Sequence, residues 1–568
     1  MFTWIVSPAL GQTTESNSSQ SFEQAVDLSA FGAVAIHSQG RVKSFDSFAS
    51  SFMAAIAGSR QIDGQSDAFT YFDLMLRPGL YGDRPTIFIK MKQIRVQFIQ
   101  ALQAAGAAQV LPDFEEQMKR FMKDGLIAPS LLMSEPVQLV LQKLRTDLMR
   151  TATKVEEIET AIRLTDSGLL RRNLTLMPPL HGSFDDPWMT LDDLGMHANH
   201  QHEGGEQEAE LIRELSTQWE AMTLAWQMGN ASGVNAAVAR IATLLPQVNP
   251  GIYPAQSRLE WESWYFNSKN MTWVWIIYLF CIIPLLATLA YRWPGARWLG
   301  LALFLIAFSL HTFAVMLRWY VADRWPNTNM FEAVTTAAWF GGCFAVLMEL
   351  VVRKSPMRNL FVLGSASASM VALMAARFLP LQLNPGINNM MPVLHDIWLY
   401  IHTNIIIFSY CLIFLASVTG GLYLLRRGVM FIKGHNGVAE FAKVGGAGSL
   451  LMTRPDGTSY LKSEKTTFGQ VLDGSTMILM ELSFILLWTG LVMGAIWADH
   501  SWGRPWGWDP KEVFALNTFL IFALLIHVRL KVKDKGLWTA ILACIGCVVM
   551  LFNWIIINFA IAGLHSYA

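Results

Sequence analysis

Charge is scarce in this sequence: Asp, Glu, Lys and Arg together make up only 15% of 568 residues, against about 25% in an ordinary soluble domain. That scarcity, with 53% hydrophobic residues, excludes a disordered or collagen-like chain, which cannot carry so much apolar surface. A basic stripe is also missing, so nucleic acid is not an expected partner. Cysteine is sparse, five in all, and Cys281, Cys343 and Cys411 fall inside apolar runs, which rules out a disulfide framework. Net charge is absent too, with 43 basic against 43 acidic residues, but the balance is an accident of addition. Residues 1–270 hold 22 basic and 30 acidic residues, and the remainder holds 21 and 13. The first residues, Met1 to Gln12, have an apolar stretch from Phe2 to Leu10 without a basic segment before it. An abbreviated signal peptide, a misassigned start and a cropped upstream segment all fit that pattern.

What is abundant is long apolar runs. From residue 271 onward eight of them recur, at 271–291, 298–317, 330–352, 359–376, 398–424, 475–497, 512–530 and 537–563. Each is close to the length that crosses roughly 30 Å of hydrocarbon at about 1.5 Å per helical residue. The expected fold is therefore an all-α polytopic membrane protein of about eight transmembrane helices, residues 271–568, preceded by a mainly helical extracytoplasmic domain, residues 1–270. In that domain, segments 87–108, 130–165 and 206–228 carry apolar residues at helical spacing. The Gly- and Pro-rich stretch 166–205 reads as a connecting loop. Lys and Arg gather in alternate loops of the membrane part (Arg292/Arg297, Arg353/Lys354/Arg358, Arg426 to Lys465, Arg529 to Lys535), which marks those loops as cytoplasmic. Residues 1–270, the loop 498–511 and the C-terminus are then expected outside a cytoplasmic (inner) membrane.

The densest chemical signal lies on that outer side: Trp497-Ala-Asp-His500-Ser-Trp502-Gly-Arg504-Pro-Trp506-Gly-Trp508-Asp509-Pro510-Lys511-Glu512. Asp509, Pro510 and Glu512 have the spacing of a helix start, with N-cap, first-turn proline and capping partner. The four indoles are harder to explain as an aromatic belt, because a belt spreads Trp among helix ends. Clustered flat faces, with glycines that let the backbone approach, suit a large planar apolar ligand. Only four histidines fall within or at the ends of the runs: His311, His402, His527 and His565. His402, roughly 6 Å inside its run by helical rise, and His565, closing the last run, share the level of the Trp cluster. Two imidazoles flanking a flat macrocycle are the bis-axial arrangement of a haem iron. His527 lies about fifteen residues down its run, where an ionisable side chain marks a functional position. By helical rise His311 sits at a different depth, so a partner from outside the chain is expected for His527. For His311 a hydrogen-bonded packing role and a ligand role both stand.

The string WGRPWGWDPKE, with a histidine in the run before and another after it, resembles the tryptophan-rich (WWD) domain of the haem-handling proteins of cytochrome c maturation, and most of all the CcsA/ResC type of system II. Leu317 to Glu332, Trp398-Leu-Tyr-Ile-His402 and Gly563-Leu-His565-Ser-Tyr are similar to that family as well. The resemblance covers about residues 271–568. It implies a holocytochrome c synthase (haem lyase) component, with haem b as substrate and ligand. His402 and His565 would be the axial ligands beside the Trp cluster, and His527 a membrane-embedded ligand whose partner comes from a CcsB/ResB-like membrane subunit. Apocytochrome c, a thiol-reducing thioredoxin-like protein and membrane lipid are the other implied partners. A haem exporter or chaperone without ligation activity, like the CcmC-type proteins, is the alternative. Residues 30–50 and Tyr253 to Asn267 are similar to islands upstream of CcsA in fused CcsB–CcsA proteins.

Weaker signals remain. Arg504 and Lys511 are placed to meet propionates, and a forked guanidinium suits a carboxylate. His500 reads either as a contact to a propionate or thiol, or as a polar loop residue. His197, His200 and His202, with Glu203 and Glu206, have ligand types for a divalent metal but also fit a solvated Gly-bounded loop. Cys544-x-x-Cys547 has redox spacing but lies within an apolar run, where packing is the expected role.

Overall fold

The computed structural model describes residues 22–58, 60–111, 113–147, 151–180, 183, 186–194, 205–291, 293–389, 396–434 and 467–557. The chain separates into two compact units, Met1–Asn267 and Ser268–Ala568.

The first unit is mainly helical, and its best-defined local feature is a hairpin. Strands β1 (Ala35–Ser38) and β2 (Arg41–Ser44) pair antiparallel with Ala35 opposite Ser44. Gln39 and Gly40 turn between them with φ of 53° and 74°, the pair of positive values that a two-residue turn matching strand twist requires. The strand feeds directly into α1 (Phe45–Ala57), whose N-cap Ser44 Oγ accepts from the Ser47 amide. Next come α2 (Asp67–Leu76), capped by Ser66, and later α3 (Gly205–Gln227). Phe31, Phe45 and Phe72 meet in the core, and Phe72 also packs on Trp226. The expected helix over 206–228 is found as α3, and that over 87–108 as Lys92–Ala104. The span 130–165 is broken into Glu135–Arg145 and Ala152–Leu164. The Thr151 hydroxyl donates to the Leu144 carbonyl at 2.5 Å, which satisfies an acceptor at the first helix's end and lets the chain turn there.

Helix α4 (Gln256–Asn267) closes the unit on the hairpin. The Tyr253 hydroxyl accepts from the Ala35 amide at 2.9 Å, and the Glu262 carboxylate accepts from the Ser44 amide at 3.2 Å and pairs with Arg41 at 2.9 Å. Asp46 accepts from Ser263 Oγ and Asn267 Nδ2. The two sequence islands, more than two hundred residues apart, are thus one contact.

The second unit holds eight helices long and apolar enough to cross a membrane among the described residues. They are α5 (Trp275–Tyr291, with the 3-10 turn Lys269–Val274 before it), α6 (Pro294–Ala322), α7 (Met330–Val352), α8 (Leu360–Phe378), α9 (Ile397–Ile432), α10 (Phe468–Trp502), α11 (Pro510–Lys531) and α12 (Lys535–Leu551, with the turn that follows it). The protein is a multi-pass membrane protein. Helix α12 continues as a π-helix over Phe552–Ile557. Side-chain caps start several spans: Asn329 on α7, Asp396 on α9, Thr467 on α10, Asp509 on α11 and Asp534 on α12, each stabilising its helix by about 1 kcal/mol. Helices α9 and α10 contain 36 and 35 residues, about 54 Å at 1.5 Å per residue, so both outrun the hydrocarbon layer. The apolar runs marked the membrane-thick middle; their polar flanks stay helical. Successive spans alternate in direction. One end of the bundle therefore carries the ends of α6, α8, α10 and α12 and the starts of α7, α9 and α11.

Lys43, on β2, is 3% exposed. Burial first, then the Arg41 guanidinium, push its ammonium down to about 8, against an opposing pull from Glu262. Between pH 8 and about 10.5 the unfolded chain binds this proton and the folded one does not, so stability rises with pH across that window. Protease susceptibility in urea of the first unit of the full-length protein should show a gain of roughly 2 kcal/mol from this residue between pH 7 and pH 9.5. Lys43→Met should be more stable at pH 7 and should lose that gain.

Candidate functional site

The site begins at a seam between α9 and α10. Gly490 and Gly494, one helical turn apart, leave a channel along α10. A Cβ on Gly490 would lie 2.4 Å from Ile406 Cδ1, and one on Gly494 would lie 2.7 Å from His402 Cε1. Small residues four apart let two membrane helices approach closely. Here the approach brings His402 Nδ1 to 2.7 Å from the Gly490 carbonyl oxygen. A carbonyl can only accept, so Nδ1 carries the proton and Nε2 carries the lone pair, the tautomer that binds a metal through Nε2.

A second set of bonds holds the α6–α7 connection over this seam. Trp325 Nε1 donates to Asn404 Oδ1 at 2.9 Å and Asn327 Nδ2 to Thr403 Oγ1 at 3.0 Å, two and one residues beyond His402. The connection is itself fixed by Glu332, which is fully buried. Its carboxylate accepts from Arg318 Nε and Arg324 Nη1, both at 2.9 Å, and from the Thr328 amide at 2.8 Å. Arg318 reaches on to the Pro385 and Gly386 carbonyls, tying in the segment after α8. A buried carboxylate is tolerable because two guanidiniums and a backbone amide replace its water.

These parts enclose a cavity of about 250 Å³, lined by His402, Trp497, Trp506, Lys511, Glu512 and Trp554, with Asn327, Thr403, Tyr410 and Asn553 among its polar contributors. Of the residues singled out in the sequence, His402, Trp497, Trp506 and Lys511 are brought together. The Trp cluster is not one sheet of indoles. Helix α10 runs through Trp502, so the true loop is 503–509, turned by Gly503 at φ 68°. Trp497 packs edge-on to Trp502, and Trp506 edge-on to Trp508. Trp508 is 74% exposed and, like exposed Arg504, is not in the cavity wall. Asp509 is 4% exposed and is used as the N-cap of α11, with Glu512 Oε2 accepting from the Asp509 and Gly507 amides. The capping role of Asp509 is therefore the one its bonds support. His500 stands on the last turn of α10, edge-on to Trp398 and 4.0 Å from Asp396.

His311 lies elsewhere. It is 1% exposed, its Nε2 donates to the Thr335 carbonyl at 3.1 Å, and its Nδ1 faces the Tyr278 hydroxyl at 3.4 Å. With both nitrogens engaged between α5, α6 and α7, it is a packing histidine and not part of the cavity. His527 is on the exposed face of α11, the least buried of the eight spans, with Nδ1 donating to the Ala523 carbonyl at 3.0 Å. Arg529, two residues on, faces inward and forks onto Asp473 at 2.6 and 2.8 Å. Cys544 Sγ contacts the Ser417 carbonyl on α9, a packing contact. His565 and the His197, His200 and His202 group lie outside the described residues.

Residues 327–565 match the model of the cytochrome C assembly protein family. The cytochrome c biogenesis protein CcsA of Parasynechococcus marenigrum (strain WH8102) is 30% identical over 272 residues, 47% of this chain and 86% of that protein. CcsA of Porphyra purpurea is 30% identical over 261 residues, 44% and 81% respectively. CcsA of Synechococcus sp. (strain CC9311) is 29% identical over 302 residues, 51% and 96% respectively. The chain belongs to the CcsA-type family of cytochrome c biogenesis proteins. Its role is in cytochrome c maturation, and the matched region of this CcsA-type chain begins at Asn327, in the cavity wall, and takes in α7 to α12.

Residues that sequence reasoning passed over complete the site: Gly490, whose carbonyl orients His402, and Gly494, Tyr410, Asn553 and Trp554 in the cavity wall. The four-residue glycine spacing was the available signal for the first two, and polar Asn553 within an apolar run for the others. Gly494→Val should push the His402 ring off α10 and lower the thermal stability of the detergent-solubilised protein by roughly 1–3 kcal/mol, while Gly421→Ala, with open space at its Cβ, should not. Glu332→Gln strips the counter-charge from buried Arg318. A cost of roughly 3–5 kcal/mol is expected, read as loss of the monodisperse peak in size-exclusion chromatography.

Proposed function

We propose that this cavity holds haem b, with His402 Nε2 and His565 as the ligands of its iron, and presents its vinyl groups for covalent attachment to apocytochrome c. The observation that carries the reading is the His402 Nδ1 to Gly490 carbonyl bond, because it fixes the tautomer and the ring direction of an imidazole inside an aromatic cavity. Trp497, Trp506 and Trp554 supply flat apolar walls. Lys511 is the cation in the lining, so it is favoured over exposed Arg504 as the partner of a propionate. With the positive-inside pattern of the loops, this end of the bundle faces the outside of the inner membrane.

The chemistry asked of the site is addition of two cysteine thiols across two vinyl double bonds. Each S–H adds so that sulfur bonds the carbon next to the ring and the hydrogen goes to the terminal carbon, with no net oxidation. No acid, base or nucleophile of the protein enters the balance, and the protein contributes orientation and exclusion of water. The thiols must arrive reduced, which is the task of a thioredoxin-like partner. His527, an ionisable side chain on an exposed membrane-facing helix surface, is costly unless it meets a partner chain. That supports a CcsB/ResB-like subunit covering α11 and sharing an embedded haem there.

The test is co-expression of the full chain with a CcsB/ResB-like subunit and a Cys-x-x-Cys-His apocytochrome. Haem-stained cytochrome should fall at least about tenfold in His402→Ala, the scale of losing one axial or second-sphere ligand, and a smaller amount in Lys511→Met, with the Soret band of the purified complex shifted in the first. Normal attachment in His402→Ala would overturn the reading. Haem bound and released to another acceptor without thioether formation would assign the chain to the exporter class.

A further inference from the structure

A second cavity, of about 220 Å³, lies behind the first and shares Tyr410 and Trp554 with it. The shared wall is held by the Asn553 amide, which donates to the Tyr410 hydroxyl at 2.9 Å, and by the edge-on contact of Tyr410 with Trp554. Asn553 and Trp554 belong to the π-helical end of α12, a widened turn of the kind that recurs at functional positions.

The inner chamber is opened by small side chains: Ala337 and Ala338 on α7, and Ala368, Ala372 and Ala375 on α8. Among the described residues, no Lys, Arg, His, Asp or Glu lines it. That decides what it can take. A porphyrin there would leave two propionates without a cation, which is costly in hydrocarbon. A hydrocarbon chain needs no polar partner, and an apolar cavity of this size is destabilising when nothing fills it. The exposed lining residues, Val371 and Leu379 on and just after α8 and Ile555 on the π-helix, are 39%, 49% and 48% exposed and form a lateral mouth. The mouth lies within about 10 Å of the helix end by helical rise, and exposed Gln382 stands at its rim.

We propose that the inner chamber takes one acyl chain of a membrane phospholipid, which enters between α8 and the π-helical end of α12 and ends against Tyr410 and Trp554. The lipid headgroup stays at the rim near Gln382. The chain then backs the wall of the neighbouring cavity and holds Trp554 and Asn553 in place.

The experiment uses haem-free, full-length protein, so that its failure and the failure of the haem reading are separate events. Native mass spectrometry after a delipidating wash should find one phospholipid retained on the wild type and at least tenfold less on Ala372→Phe, which fills the chamber. Adding phospholipid to washed protein should raise the thermal midpoint of the wild type and leave that of Ala372→Phe unchanged. Phospholipid brominated near the chain end should quench a component of the fluorescence that is missing in Trp554→Phe, a readout that does not depend on the filled variant folding. Absence of a retained phospholipid, together with equal quenching of the wild type and Trp554→Phe, would overturn the proposal. Retention of an isoprenoid quinone in place of a phospholipid would overturn it as well.

Discussion

The bond from His402 Nδ1 to the Gly490 carbonyl sets the terms for the rest of the membrane unit. It requires α9 and α10 to touch at backbone distance, which only Gly490 and Gly494 permit. Once they touch, the ring has one direction and one tautomer. The neighbouring turns of α9 then offer Thr403 and Asn404 to the α6–α7 connection, which folds over the seam as a roof. The roof is stiff because fully buried Glu332 gathers buried Arg318, half-buried Arg324 and the Thr328 amide. Removing water from three charges is expensive, and the cluster repays it only as a complete set. A cluster of that kind buys little stability but admits few alternative geometries, which is what a positioning site needs.

How much of this could be read from the sequence follows from which forces are local. Span number and order were legible because twenty apolar residues have few fates other than a buried or membrane helix. Span ends were less so: hydropathy reports the solvent and not the helix, so α9 and α10 continue through Arg426 and through Trp502. That continuation divided the Trp cluster. Five residues on a helix turn through about 500°, so Trp497 and Trp502 leave α10 about 140° apart and meet edge to face, not side by side. Trp497 lines the cavity and Trp502 packs on its edge. The capping pattern at Asp509 was readable because a cap is decided within four residues. Trp554 and Tyr410 were not, since their value comes from being opposite each other across 143 to 144 residues of chain.

The first unit shows the same division. The hairpin at Gln39-Gly40, which sequence reasoning passed over, is decided locally by two positive φ values. The junction of Arg41, Ser44 and Asp46 with Glu262, Ser263 and Asn267 has no local signature at all. The two stretches were noticed only as islands of similarity. In this chain each supplies half of a buried polar contact, and neither half is tolerable alone. Lys43 sits beside that contact and is held there at a cost its neighbours only partly offset.

Two features of the membrane unit look like faults until they are taken together. An imidazole, His527, stands on the exposed side of the least buried span, and an apolar chamber lies open beside Val371 and Ile555 on another side of the bundle. Polar exposure to hydrocarbon and unfilled apolar volume are both unfavourable, yet they call for opposite remedies. The first is relieved by a polar partner such as a protein helix, and the second only by something without polar groups, which the surrounding membrane supplies everywhere. The cavity around His402 differs from both: its described lining mixes Lys511 and Glu512 with one oriented imidazole and three indole faces. On the proposed reading, the ligand lays a flat apolar area on the indoles, turns an anionic edge to Lys511 and accepts the His402 lone pair at its centre. Those are the properties of an iron porphyrin, and neither of the other two surfaces could hold one without help from outside the chain.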